Sequence, residues 1–102
     1  MDIRSIRGVP IRLTDERWQH ILKRHVELVN ERGRVLETVA EPDCIQLGDF
    51  GELLAIRYYD RTPLTSKHLV VAYREISPSD GFILTAYFSS RPSARRKVLW
   101  KR

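Results

Sequence analysis

His68-Leu69-Val70-Val71-Ala72-Tyr73-Arg74, followed across Ser77-Pro78-Ser79-Asp80-Gly81 by Phe82-Ile83-Leu84-Thr85-Ala86-Tyr87-Phe88, is the stretch on which the fold turns. Branched and aromatic residues dominate both arms, and the connection is built of turn-forming residues, so the stretch reads as two strands joined tightly. Upstream, Glu52–Tyr59 and Asp43–Leu47 have the same character. They are bounded by Gly48-Asp49-Phe50-Gly51 and by Asp60–Ser66 with its Pro63. None of these connections is long enough for a parallel crossover, so an antiparallel meander of four to five strands is expected.

Before Pro42 the period is helical. Thr14 is placed as an N-cap, Asp15 and Glu16 suit the positive end of a helix, and Trp18, Leu22, His25 and Val29 form one stripe. Gly33 reads as the stop, and a second helix over Arg34–Ala40 would end at Pro42. The short segment Val9–Leu13 alternates weakly, and Pro10 confines it to an edge. Helices followed by such a sheet predict an α+β fold, with the N-terminal helices covering one sheet face and the other open to a ligand.

Composition sets the outer limits. The chain has 102 residues, 42% hydrophobic and 30% charged, as befits one globular domain spanning 1–102. The excess charge of +5 is uneven: residues 1–51 hold eight basic and nine acidic groups, whereas residues 52–102 hold ten and four. Six basic residues and no acid lie between Arg91 and Arg102. A polyanion is the partner to consider first, and nucleic acid comes before a membrane because no long amphipathic apolar stretch accompanies the charge. The lone Cys44 allows no internal disulfide and suits a reducing cytoplasm. Asp2, Arg4 and Arg7 interrupt any apolar leader at the start, so the chain is expected to stay in the cytoplasm.

Strand parity nominates a site. In the last strand Phe82, Leu84, Ala86 and Phe88 read as core, and Ile83, Thr85, Tyr87 and Ser89 as a mixed row. Stacking the polar rows gathers Arg57, Tyr59, His68, Arg74, Thr85, Tyr87 and Ser89 on one face. His25 interrupts an apolar helical stripe, and an imidazole can both accept and donate a proton near neutral pH. His20 lies about 200° from Trp18 and should face water. Arg57 and Arg74 can meet the nonbridging oxygens of a phosphodiester with paired charge-assisted hydrogen bonds, and Thr85 and Tyr87 can add neutral donors. Of the adjacent Tyr58 and Tyr59, only one can stack a base. His20 and His25 share no helix face and no acidic cluster joins them, so no metal or other cofactor is expected.

Leu13-Thr14, Trp18, His20-Ile21 and Arg24-His25 in the first helix, Glu41-Pro42-Asp43 before Ile45, and Ile83-Leu84-Thr85-Ala86-Tyr87 occur in an order and spacing that span most of the chain. In these residues the sequence resembles the phage-associated nuclease domains of the barnase-EndoU-colicin-RelE (BECR) superfamily. The resemblance implies RelE-like helices on an antiparallel sheet and metal-independent RNA cleavage, with toxins among the members. It maps the first-helix histidine to His25 with His20 as its companion, the strand arginine to Arg57 or Arg74, and the last-strand threonine to Thr85. No carboxylate falls on the expected open face to serve as a base.

The resulting expectation is a toxin-like endoribonuclease of a toxin-antitoxin or phage-related system. His25 would move the proton of the attacking 2′-hydroxyl, Arg57 and Arg74 would hold the phosphate, and Thr85 and Tyr87 would donate hydrogen bonds to it. His20, Tyr59, Lys67, Ser89, Arg91, Arg95 and Arg96 would bind the rest of the RNA. An acidic antitoxin or immunity protein would be a natural partner of the same charge. The alternative is a noncatalytic RNA-binding or protein-interaction module using the basic C-terminal half.

Overall fold

The computed structural model describes residues 3–102, so Met1 and the Asp2 charge invoked above lie outside the described residues. A two-stranded ribbon of β1 (Ile3–Arg4) and β2 (Pro10–Ile11) leads into α1 (Asp15–Arg24), a 3₁₀ turn (Val26–Leu28) and α2 (Arg32–Ala40). Five strands follow: β3 (Cys44–Leu47), β4 (Leu53–Tyr58), β5 (His68–Ser77), β6 (Asp80–Ser89) and β7 (Val98–Lys101). They form one antiparallel sheet in the order β6-β5-β4-β3-β7. The expected α+β architecture is present, with two strands, β1 and β7, that sequence period did not indicate.

Thr14 caps α1 through its Oγ1, which accepts from the Arg17 N–H at 3.1 Å, and Asp15, Glu16, Lys23 and Arg24 complement the helix dipole at its two ends. The helix buries Trp18 and Ile21. It ends at Arg24, earlier than the stripe to Val29 predicts, because the chain must turn back over β4 and β5. Leu28 is buried in that turn while Val29 is 57% exposed. Gly33 is correspondingly inside α2 and not a stop. α2 starts two residues before the expected Arg34, where Arg32 donates to the Leu13 carbonyl at 3.0 Å and lies 5.8 Å from the Trp18 ring.

The helix side of the sheet holds the main core: Trp18, Ile21, Leu28, Val35 and Val39 meet Ala55, Leu69, Val71, Tyr73, Ile83 and Ala86. Full burial of each large aliphatic side chain contributes about 1.5–3 kcal/mol. On the other side Leu54, Ile56, Val70 and Ala72 form a smaller cluster with Cys44, Leu84 and Tyr87 against it. One turn and one close approach rely on glycine. Gly51 turns between β3 and β4 at φ 80°, and a Cβ on Gly81 would lie 2.5 Å from the Arg74 carbonyl oxygen and 2.6 Å from Ile11 Cδ1. One polar group is left over: the buried Tyr73 hydroxyl has no hydrogen-bond partner among the described residues, a deficit of about 1–3 kcal/mol.

Register corrects the expected faces. Arg57 pairs with Leu69 and Tyr58 with His68, so Arg57 and Tyr59 face the helices, opposite to His68, Arg74, Thr85, Tyr87 and Ser89. In β6 the pairing passes from Ala72↔Thr85 to Tyr73↔Ile83, leaving Leu84 as an extra residue. This bulge shifts the parity within the strand. Ile83, read as part of the mixed row, is therefore core, and Leu84, read as core, joins the opposite cluster. The face expected to be open is crossed by Ser90–Lys97. Gln46 Nε2 donates to the Ser93 carbonyl at 2.8 Å, Arg96 pairs with Asp49 at 2.8 Å, and His68 Nδ1 lies 3.1 Å from the Ser90 carbonyl oxygen.

Candidate phosphate-binding cleft

α1 lies beside the edge strand β6, and the two elements enclose a cleft of about 530 Å³ lined by Arg17, His20, Lys23, Arg24, His25, Leu84 and Thr85. Arg17, His20 and Arg24 stand at i, i+3 and i+7, one face of the helix. His25 reaches the same cleft by another route: its N–H still closes the helix onto the Ile21 carbonyl at 2.9 Å, but its backbone leaves helical geometry at φ −135°, ψ 67°. His20 and His25, expected on separate faces, therefore line one hollow. None of Arg17, Lys23 and Arg24 has a salt-bridge partner among the described residues. Three cations converge where they are available to a ligand.

The His25 side chain is 31% exposed. Its Nδ1 lies 3.6 Å from Glu27 Oε2, and its ring centroid is 6.1 Å from that of Tyr87 at an interplanar angle of 34°. Glu27 is the carboxylate that the reading of the strands lacked. It went unseen because it sits in the 3₁₀ turn, where no helical or strand period applies. Arg17 and Arg24 did carry a signal, since their spacing with His20 is visible on a helical wheel.

Of the residues singled out from sequence, the cleft assembles His20, His25 and Thr85, with Tyr87 against the His25 ring. The strand arginines are elsewhere. Arg57 donates to the Glu41 carbonyl at 2.7 Å, lies 3.8 Å from Glu37 Oε1 and 3.9 Å from Glu41 Oε2, and stacks 5.7 Å from the Tyr59 ring. It fastens β4 to the end of α2. Arg74 donates to the Phe50 carbonyl at 2.9 Å. Arg74 lines a different hollow, with Gly51, Leu53 and Glu75, and is not among the residues of the cleft.

Tyr59 is buried and donates to Glu37 Oε1 at 2.8 Å, with the Arg34 guanidinium 4.7 Å and that of Arg57 5.7 Å from its ring centroid, so the ring has no open surface on which to stack a base. Burial, reinforced by Glu37 and opposed by the Thr38 hydrogen bond, pushes its phenol well above the usual range. The exposed member of the pair is Tyr58, edge-on to His68 at 5.5 Å. Lys67 contributes its carbonyl, which accepts from the Tyr59 N–H at 2.7 Å. A second hollow of about 220 Å³ lies under Ser90–Lys97, lined by Tyr87, Ser89, Arg91 and Arg96 over Leu54, Ile56 and Val70. Tyr87 lines this hollow together with the arginines, and its ring centroid lies 6.1 Å from that of His25. Arg95 is exposed and lines neither hollow.

No group of three or more His, Cys, Asp or Glu side chains that could hold a metal ion occurs among the described residues. No helix among them is long and apolar enough to cross a membrane. Comparison with known protein families, curated proteins and solved structures finds no match.

Proposed function

We propose that this chain is a metal-independent endoribonuclease of BECR type, a cytoplasmic toxin of a toxin-antitoxin or phage-related system, acting in the α1–β6 cleft. The observation that carries the reading is the convergence of His25 and Thr85 with Arg17, Lys23 and Arg24 on one hollow. The phosphodiester sits against the three cations, which take the role first assigned to Arg57 and Arg74. Thr85 Oγ1 donates to a nonbridging oxygen whose negative charge grows during displacement. With Glu27 Oε2 3.6 Å from Nδ1, the other ring nitrogen of His25 takes the proton of the ribose 2′-hydroxyl as that oxygen attacks phosphorus. The bond to the 5′-oxygen breaks, the departing oxygen takes a proton from solvent water, and a 2′,3′-cyclic phosphate and a 5′-hydroxyl are left, His25 returning its proton to solvent.

The test is incubation of the purified protein with RNA in EDTA, followed by mapping of the new ends. Cleavage to cyclic phosphates by the wild type, absent with His25→Ala and absent on DNA, is the expected result. RNA that is retained, salt-sensitively, but never cut would replace the enzyme with a noncatalytic binding module. An acidic antitoxin is the proposed partner, covering the same cations.

A further inference from the structure

The hollow beneath residues 90–97 has a floor of Leu54, Ile56 and Val70, with Tyr87 beside Val70 as its register partner. Its roof is tied down at three points: Gln46 Nε2 donates to the Ser93 carbonyl at 2.8 Å, Arg96 pairs with Asp49 at 2.8 Å, and the Leu47 N–H donates to the Lys97 carbonyl at 2.9 Å. The space is therefore built before any ligand arrives. Gln46 is 3% exposed and lines it. The amide is only half used: Nε2 is committed to Ser93, while Oε1 has no hydrogen-bond partner among the described residues. Among those residues the Tyr73 hydroxyl is the one buried side-chain atom that is both sealed from solvent and unpartnered. Gln46 Oε1 thus keeps open surface, and the space it borders is the hollow. An amide oxygen left over an apolar floor calls for a donor. Arg91, exposed at the same hollow, has no carboxylate partner among the described residues.

We propose that this hollow receives an unpaired nucleobase of the RNA strand cut in the α1–β6 cleft. The ring lies over Leu54, Ile56 and Val70 beside Tyr87, an N–H of its pairing edge meets Gln46 Oε1, and the phosphate of its nucleotide meets Arg91. The inference rests on the ribonuclease reading and adds to it the class of substrate, RNA that is single-stranded at the cut. Every base has a flat apolar face and at least one N–H on its pairing edge, so the hollow takes a base without reading a particular one. In a duplex that edge is already occupied, and a cavity of about 220 Å³ has room for one base but not for a pair. A free phosphate would use Arg91 and leave both the floor and the Gln46 oxygen unanswered. Tyr87 sets the hollow next to the chemistry: its ring centroid is 6.1 Å from that of His25, and Thr85, two residues before it on β6, lines the cleft.

An oligonucleotide of 2′-fluoro RNA lacks the attacking hydroxyl and stays whole, so it reports binding whatever the cleavage assay shows. A mixed-sequence strand of this kind, alone or annealed to its complement, is titrated against the ¹⁵N-labelled full chain, with inorganic phosphate as the third probe. The readout is the Gln46 side-chain amide with the backbone signals of Ser89 and Arg91. The single strand is expected to shift them about tenfold more tightly than the duplex, and phosphate to leave the Gln46 amide unmoved. Gln46→Leu keeps the bulk of the side chain and should weaken the single strand about threefold to tenfold, with phosphate binding read at His25 and Thr85 unchanged. If that variant fails to fold, the wild-type comparison of single strand with duplex still decides. Equal affinity for the two, shifts confined to His25 and Thr85, or an unaltered affinity in folded Gln46→Leu would overturn the base site and leave the cleft standing. Gln46 signals moved by the single strand, beside RNA that is never cut, would remove the ribonuclease reading and leave the base site standing.

Discussion

The contact between α2 and β4 and the cleft between α1 and β6 are both rich in arginine, and they use it in opposite ways. At the first, Arg57 is enclosed by the Glu41 carbonyl, the Glu37 and Glu41 carboxylates and the Tyr59 ring, and Arg34 by Glu31 and the same tyrosine. At the second, Arg17, Lys23 and Arg24 line a hollow with no carboxylate partner among the described residues. Paired charge holds elements together with short-range hydrogen bonds. Convergent unpaired charge repels itself, and the fold tolerates this only because solvent or a polyanion screens it. Residue type alone does not separate the two uses; partners do.

The comparison is broken most decisively at His25. His25→Ala should lower the RNA cleavage rate about 10²–10⁴-fold with an unchanged melting temperature. A loss of stability with cleavage retained would move the chemistry out of the cleft. The next effect belongs to the paired region and to alkaline pH. Tyr59, like Tyr73 in the core, has a folded-state pKa raised above its unfolded one, so between the two values the folded chain binds the extra proton. Stability contributed by each phenol is complete below about pH 10 and falls as pH rises beyond it, by up to about 1.4 kcal/mol per pH unit. Urea unfolding from pH 9 to 11 checks this, and Tyr59→Phe should make the decline shallower.

Arg57→Ala should destabilise the fold by about 1–2 kcal/mol, the worth of a charge-assisted hydrogen bond discounted for partial solvent access. Its RNA binding should show an unaltered salt dependence. Arg17→Ala should do the reverse: a melting temperature within error of wild type, and a slope of log affinity against log salt reduced by about one. If the two variants exchanged behaviours, the division between paired and unpaired arginines would be wrong.

Much of the framework was legible because it rests on local chemistry. Thr14 followed by Asp15 and Glu16 marks a helix start wherever the helix packs, and Pro78-Ser79 between branched arms marks the β5–β6 turn, closed by the Ser77↔Asp80 pair. β7 was not legible, because Val98-Leu99-Trp100-Lys101 is half exposed at an edge and its pairing with β3 is set by a partner more than fifty residues away. The site was legible in part for the same reason. His25 and Thr85 stand out by type and position, and α1 and β6 are rigid enough to bring them together. Arg57 and Tyr59 were misplaced by one unseen quantity, the register between β4 and β5: sliding a strand by a single residue exchanges its two faces. The parity of β6 failed through a bulge that no residue pattern announces.

That bulge has a consequence for how the chain can change. Leu84 separates a lower segment of β6, tied by Ile83 to the helix-side core, from an upper segment that carries Thr85 and Tyr87 to the cleft and its neighbouring hollow. Removing the codon for Leu84 would join Ile83↔Tyr73 to Thr85↔Ala72 as a regular ladder without disturbing either pairing. The wall of the cleft can thus be redrawn by one three-base deletion that keeps the helix-side core in alignment and takes a single apolar side chain from the cluster on the opposite face.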